Sequence, residues 1–229
     1  MPATADSPRR RDDLPGVERL LGLSDGVVAI ALTLLVLQLK LPAGAQVTDP
    51  RSAADLAAAL ARQGGQLTSY VISFYVIAVF WLAHHRVFRR AAGHDEGLAW
   101  WNFAFLFTIT VMPFTSSLLG EYSDNPLSID IFAANLLLAT LATQATLIYG
   151  QRREVMTGQP DPRAMRMGLV RVAAVVVAVA LSGALAWVNT SAAKYCWLLI
   201  AIAPWAANRW YARRAPVAGT HVTGTGTGP

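Results

Sequence analysis

The sequence predicts an all-α integral membrane protein with six transmembrane helices, and three observations carry that prediction. Only 14% of its 229 residues are charged, against about 25% in an ordinary soluble domain, and the mean hydropathy is +0.40. Apolar runs of bilayer-crossing length, about 17–25 residues, recur along the chain. Basic residues gather at alternate ends of those runs. Fifteen of the nineteen Lys and Arg lie in the N-terminus with the start of the first run, the connections after the second and fourth runs, and the C-terminus. The positive-inside rule makes those segments cytoplasmic. Both termini then share one side, the number of crossings is even, and six satisfies it.

Each element follows in order. Residues 1–14 are polar, rich in Pro and Arg, and expected to be a disordered cytoplasmic N-terminus. The first span covers residues 17–41 and stops at Pro42, which has no backbone N–H with which to continue a helix. Residues 53–60 are Ala-rich and form a short helix, either at the interface or extending the next span. Further spans are expected over residues 67–86, 98–119, 127–149, 167–188 and 194–210. The six-helix domain thus occupies residues 15–212. The remainder, 213–229, ends Gly-Thr-Gly-Thr-Gly-Pro and is expected to be a flexible tail. Trp100, Trp101, Trp205 and Trp210 near inner ends and Trp187 and Trp197 near outer ends fit as interfacial anchors.

Several classes are disfavoured. Cys196 is the single cysteine, so it forms no intramolecular disulfide and belongs to no cysteine metal cluster. The net charge of +5 comes from arginines that flank apolar runs, which suits membrane topology better than a nucleic-acid partner. A cleaved signal peptide fits poorly: the first apolar run is too long, and Lys40-Leu41-Pro42 is no small-residue cleavage site. Adjacent His84 and His85 point in different directions on a helix and have no His-x-x-x-His companion. With no phosphate-binding loop or dinucleotide fingerprint either, no cofactor, bound metal or enzymatic activity is expected.

The most informative segment is Arg19-x-x-x-Leu23-Ser24-Asp25-Gly26, placed just before a run without charge until Lys40. Polar groups there are costly to bury. Asp25 lies about 12 Å into a helix that begins at Val17, at 1.5 Å per residue. Arg19, six residues away, does not stack on its face as an i,i+4 pair would. Partners for Asp25 are therefore sought on other helices: His84, His85, Trp101 or Asn102. In the bland reading, Arg19 snorkels and Asp25 caps and tightens a helix contact. Gly22-Leu-Ser24-Asp-Gly26 also matches the Gly-x-Ser-x-Gly pattern of serine hydrolases, with His84 as an imaginable base for an intramembrane hydrolase. That chemistry needs a strand-to-helix turn, and no strand precedes it.

Beyond Gly26, residues Ile30, Leu34 and Leu37 follow i, i+4, i+7 with Thr33 beside them. They read equally as lipid-facing or core leucines, or as a pore-lining stripe. In the second reading branched side chains gate by dewetting and a Thr hydroxyl offers oxygen to an ion. Periodicity cannot choose, because this helix is apolar all round.

These residues resemble the transmembrane protein 175 family of potassium channels. Arg19-x-x-x-Leu23-Ser24-Asp25 is similar to the signature Arg-x-x-x-Phe-Ser-Asp, departing only in Leu for Phe. Phe80-Trp81-Leu-Ala-His84-His85 resembles the family's Trp-x-x-His segment, and Trp101-Asn102 with Thr110-Val-Met-Pro113-Phe114 and Gly120-Glu121-Tyr122 its third helix. The matches run in order over residues 16–122, while the later helices add only a compatible count. The resemblance implies a prokaryotic single-unit subunit of a homotetramer in the plasma membrane, with helix 1 lining the pore. It implies a leak-type, potassium-selective channel, or a proton-permeable variant, whose only metal is the permeant ion. By position, Ile30 is the apolar constriction, Leu34 and Leu37 continue it, and Thr33 is the hydroxyl tied to potassium preference. Arg19, Ser24 and Asp25 would anchor helix 1 through Trp81, His84 and Asn102.

Overall fold

The computed structural model describes residues 15–39, 49, 51–93, 95–157, 162–190 and 192–193. Its helices are α1 (Pro15–Val36), α2 (Ala53–Ala61), α3 (Gly64–Phe88), α4 (Glu96–Glu121), α5 (Pro126–Arg152) and α6 (Pro162–Ala186). All but α2 are long and apolar enough to cross a membrane, and they match the first five expected spans. The N-terminal tract 1–14, the sixth span at 194–210 and the tail 213–229 lie outside the described residues.

Local chemistry sets the ends. Pro15, Pro126 and Pro162 stand at helix starts, where the missing N–H costs nothing and φ is already helical. Ser52 and Asn125 are N-caps whose side chains accept from the backbone N–H of Asp55 and Leu127. Two boundaries differ from the sequence reading. α1 ends at Val36, and Leu37, Gln38 and Leu39 donate instead to carbonyls three residues back, at 3.1–3.2 Å, the tighter turn common at helix ends. α3 starts at Gly64, so Gly64-Gly65 does not break it, and a Cβ on Gly65 would stand 3.3 Å from the Gly120 carbonyl oxygen of α4.

α4 is the central helix, touching α1, α3 and α5, while α6 packs on α5. Apolar surface gives no drive between helices in lipid, so close packing and hydrogen bonds must hold the bundle. Toward one end, α3 and α4 meet through small polar residues. Ser73 Oγ donates to Ser116 Oγ at 2.8 Å, and a Cβ on Gly120 would stand 2.7 Å from Ser69 Oγ and 3.0 Å from Gln66 Cα. Only glycine permits that approach. Pro113 lies inside α4 and leaves the Ile109 carbonyl without its helical donor. One residue away, Asn135 of α5 donates its Nδ2 to the Thr108 carbonyl at 3.1 Å, a neighbour's help of the kind that makes intramembrane proline tolerable.

The main core includes Val28, Ala31, Leu35, Ile77, Phe105, Ile109 and Met112. A second, separate cluster joins Val17 and Leu20 of α1 to Phe88, Ala91 and Leu98, with Tyr149 and Met156 packed against it. Met156 reaches it because the α3–α4 and α5–α6 loops are stapled at an isolated antiparallel bridge, Ala91 to Met156. Ala92 N donates to Val155 O at 2.7 Å, and both Thr157 N and Thr157 Oγ1 donate to Arg90 O.

Candidate pore helix and its anchor

α1 shows two faces. Val17, Leu20, Ser24, Val28, Ala31 and Leu35 are buried against α3 and α4. On the opposite side Gly26 and Thr33 are exposed, as are Ile30 (60%), Leu34 (41%) and Leu37 (62%). A Cβ added at Gly22 or Gly26 would meet nothing within 4 Å among the described residues. Thr33 Oγ1 donates its proton to the Ile30 carbonyl at 2.8 Å, which leaves the oxygen lone pairs as the group it presents outward.

Between the two apolar clusters lies a polar layer. Ser24 is fully buried, and its Oγ lies 2.7 Å from Leu20 O and 3.1 Å from Asn102 Oδ1. His84 Nε2 meets the same Asn102 oxygen at 2.7 Å. A hydroxyl has one proton, so Ser24 gives it to the nearer acceptor, Leu20 O. Asn102 Nδ2 is buried without a partner. Turning that amide over would let its two N–H groups donate to Ser24 Oγ and His84 Nε2 together, with the His84 proton on Nδ1. His84 itself is clamped between Phe88 and Phe105, each ring centroid 4.4 Å away, so its orientation is set by packing as well as by Asn102.

Asp25 stands beside this layer on an exposed position, and Trp81 Nε1 donates to its Oδ1 at 2.7 Å. Trp81 lies against His85, 5.5 Å between centroids. The structure therefore brings together Ser24, Asn102 and His84 in one group and Asp25 with Trp81 in another. It does not bring Arg19 into either: Arg19 is exposed, and its side chain has no partner among the described residues. The six-residue offset explains this, since Arg19 leaves α1 on a different side from both Ser24 and Asp25. Of the pair His84-His85, His84 is the one bonded to Asn102. Trp101 is 40% exposed and bonded to neither group.

The hydrolase geometry is missing. Ser24 and His84 each face Asn102 rather than one another, and Ser24 is closed to any substrate. No group of three or more His, Cys, Asp or Glu side chains suited to a metal occurs among the described residues.

Sequence reading passed over the residues that tie down the base of α1. Tyr149 OH donates to Asp95 Oδ2, and Arg153 Nε donates to the Tyr149 oxygen at 3.3 Å. The Tyr149 hydrogen bond holds the Asp95 carboxyl below its usual range. A Cβ at Gly97 would overlap the Tyr149 hydroxyl, so glycine is required there. Nothing local marks these positions, because they meet only when α4 and α5 are assembled.

The family model of the endosomal/lysosomal potassium channel TMEM175 matches residues 19–113, from the start of α1 through most of α4. A potassium channel of Chamaesiphon minutus is 37% identical over 108 residues, 47% of this chain and 51% of that one. A potassium channel of Streptomyces collinus is 38% identical over 104 residues, 45% of this chain and 48% of that one. The rat endosomal/lysosomal proton channel TMEM175 is 31% identical over 148 residues, 62% of this chain and 28% of that one. The matched stretch spans about half the length of the bacterial relatives. The likeness in fold reaches further. The crystal structure of a lysosomal potassium-selective channel TMEM175 homolog from Chamaesiphon minutus superposes with a TM-score of 0.70 at 26% identity, over 84% of this chain and 97% of that one. The polar layer that seats α1, Leu23-Ser24-Asp25 against Trp81, His84 and Asn102, falls wholly inside the matched region; the chain is a multi-pass membrane protein whose residues 19–113 match the TMEM175 family.

Proposed function

We propose that this chain is the subunit of a potassium-selective, leak-type cation channel in a prokaryotic plasma membrane, with both termini cytoplasmic. The observation that carries the reading is the asymmetry of α1. One face is bonded and packed into the bundle, and the other exposes Gly26, Ile30, Thr33, Leu34 and Leu37, with no side-chain bond to another helix among the described residues. One such helix cannot enclose a conduit, so a symmetric ring is needed, and four copies form it. The Ile30 ring is the narrowest point and excludes hydrated ions by dewetting. Thr33 oxygens, their protons committed to Ile30 carbonyls, offset part of the dehydration cost for potassium. Ser24 and Asp25 with Trp81, His84 and Asn102 hold the helix at its base.

The potassium-channel names of the bacterial relatives support this reading. The proton-channel name of the rat relative supports a second, in which the same pathway passes protons. Flux of potassium, sodium and protons into liposomes separates them. Wild type should carry potassium over sodium, and Ile30→Asn should raise total flux and lower that preference. Unchanged flux and selectivity in Ile30→Asn would remove Ile30 from the pathway. Proton flux without potassium flux would favour the second reading.

A further inference from the structure

We propose that the stapled loops at the base of the bundle form a docking surface for the headgroup of an anionic phospholipid, gripped by Arg89 and Arg152. Arg86, Arg89 and Arg90 end α3, and Arg152 and Arg153 end α5. Arginines at helix C-termini ordinarily do no more than complement the dipole and set topology. Two observations go beyond that reading. The first is rigidity. The bridge at Ala91 and Met156, the Thr157 bonds to Arg90 O and the packing of half-buried Met156 against the cluster of Val17, Leu20 and Phe88 fix the two loops to each other and to the bundle. The backbone that carries the cations is thus fixed, so less backbone ordering cost is lost on binding.

The second is the local charge balance. Asp95 is occupied by Tyr149, and Arg153 bonds that same hydroxyl. The guanidinium groups of Arg86, Arg89 and Arg152 are exposed and have no partner among the described residues. Two planar forks presented from adjacent fixed loops suit the oxygens of a phosphodiester. Trp100, 72% exposed in the first turns of α4, is the type of side chain that sits at headgroup level. The proposal rests on the chain crossing a membrane, not on which ion it passes.

The test compares thermal unfolding of the full chain in detergent, titrated with phosphatidylglycerol or phosphatidylcholine. Phosphatidylglycerol should raise the melting temperature well beyond phosphatidylcholine. The Arg89→Gln/Arg152→Gln variant should need about 30-fold more phosphatidylglycerol, on the basis of about 1 kcal/mol per basic residue near an anionic surface. Arg51→Gln/Arg62→Gln, two exposed arginines outside the stapled loops, should respond like wild type. If the first variant does not fold, the wild-type shift should still shrink as salt is raised, since exposed charges are screened. An equal response in the Arg89/Arg152 variant, a shift insensitive to salt, or an equal shift from inorganic phosphate alone would overturn the proposal. None of these readouts depends on ion flux, so a silent channel leaves the result interpretable.

Discussion

On the inward face of α1, Val17, Leu20, Ser24, Val28, Ala31 and Leu35 are buried, whereas Gly26, Ile30, Thr33 and Leu37 on the outward face are exposed. Both sets step by three and four residues, and both are mostly aliphatic. What separates them is what each meets. The inward set meets Asn102, His84, Phe105 and their neighbours, so each atom there is constrained by packing. The outward set is exposed, with no side-chain bond to another helix among the described residues. Folding therefore acts on one face and leaves the other free to be shaped by permeation. The two should respond oppositely to substitution.

The largest effect is expected from Ser24→Leu. Its side chain would enter a fully packed position and strip Asn102, which also meets His84, of a hydrogen-bonding neighbour. Overpacking together with stranded polar groups should cost about 2–4 kcal/mol, seen as a lower melting temperature and poor recovery of folded protein. A Ser24→Leu chain as stable as wild type would erase the distinction between the faces. Next is Asp25→Ala, which removes the acceptor of Trp81 Nε1 and should cost about 1–2 kcal/mol. Assembly and gating should suffer more than unit conductance, and normal tetramers with normal gating would break the anchoring role.

Ile30→Asn sharpens the contrast from the other side. Its melting temperature should stay near wild type, within about 0.5 kcal/mol for an exposed site, although flux changes. Thr33→Val keeps the shape and removes the outward oxygen. Potassium preference, read from reversal potentials, should fall by about fivefold or less, the worth of one net hydrogen bond of ~1 kcal/mol. The smallest effect concerns the base. Because Asp95 is held below the ordinary carboxylate range chiefly by Tyr149, its contribution to stability is complete above the ordinary aspartate pKa and is lost as pH falls through the lower folded-state pKa. The gap in melting temperature between wild type and Tyr149→Phe should stay constant from pH 7 to about pH 5 and narrow in stronger acid. A gap that widened in acid would have the sign wrong.

Much of the architecture was legible because length and charge placement encode membrane spans directly, as the agreement of five spans with α1 and α3–α6 illustrates. The faces of α1 were not. Val28 and Leu35 differ from Ile30 and Leu37 in burial, not in chemistry, so hydropathy carries no signal to separate them. The grouping of Ser24 with Asn102 and His84 came through family resemblance; the residues alone left several partners for Asp25 open. Arg19 was expected to join, and its position six residues from Asp25 already argued against direct pairing. Tyr149, Asp95, Gly97 and Met156 escaped entirely, since their meeting depends on three helices and on a bridge made by backbone atoms.

The wide separation of the anchoring partners along the chain has a consequence for how this protein is made. Ser24 lies 78 residues before Asn102, and Asp25 lies 56 before Trp81. At about 5–20 residues per second, the ribosome needs about 4–16 s after Ser24 before Asn102 exists. α1 must therefore enter the membrane with its polar groups unmatched and wait for α3 and α4 to receive them. The helix that carries Ser24 and Asp25 is made before the helices that hold it.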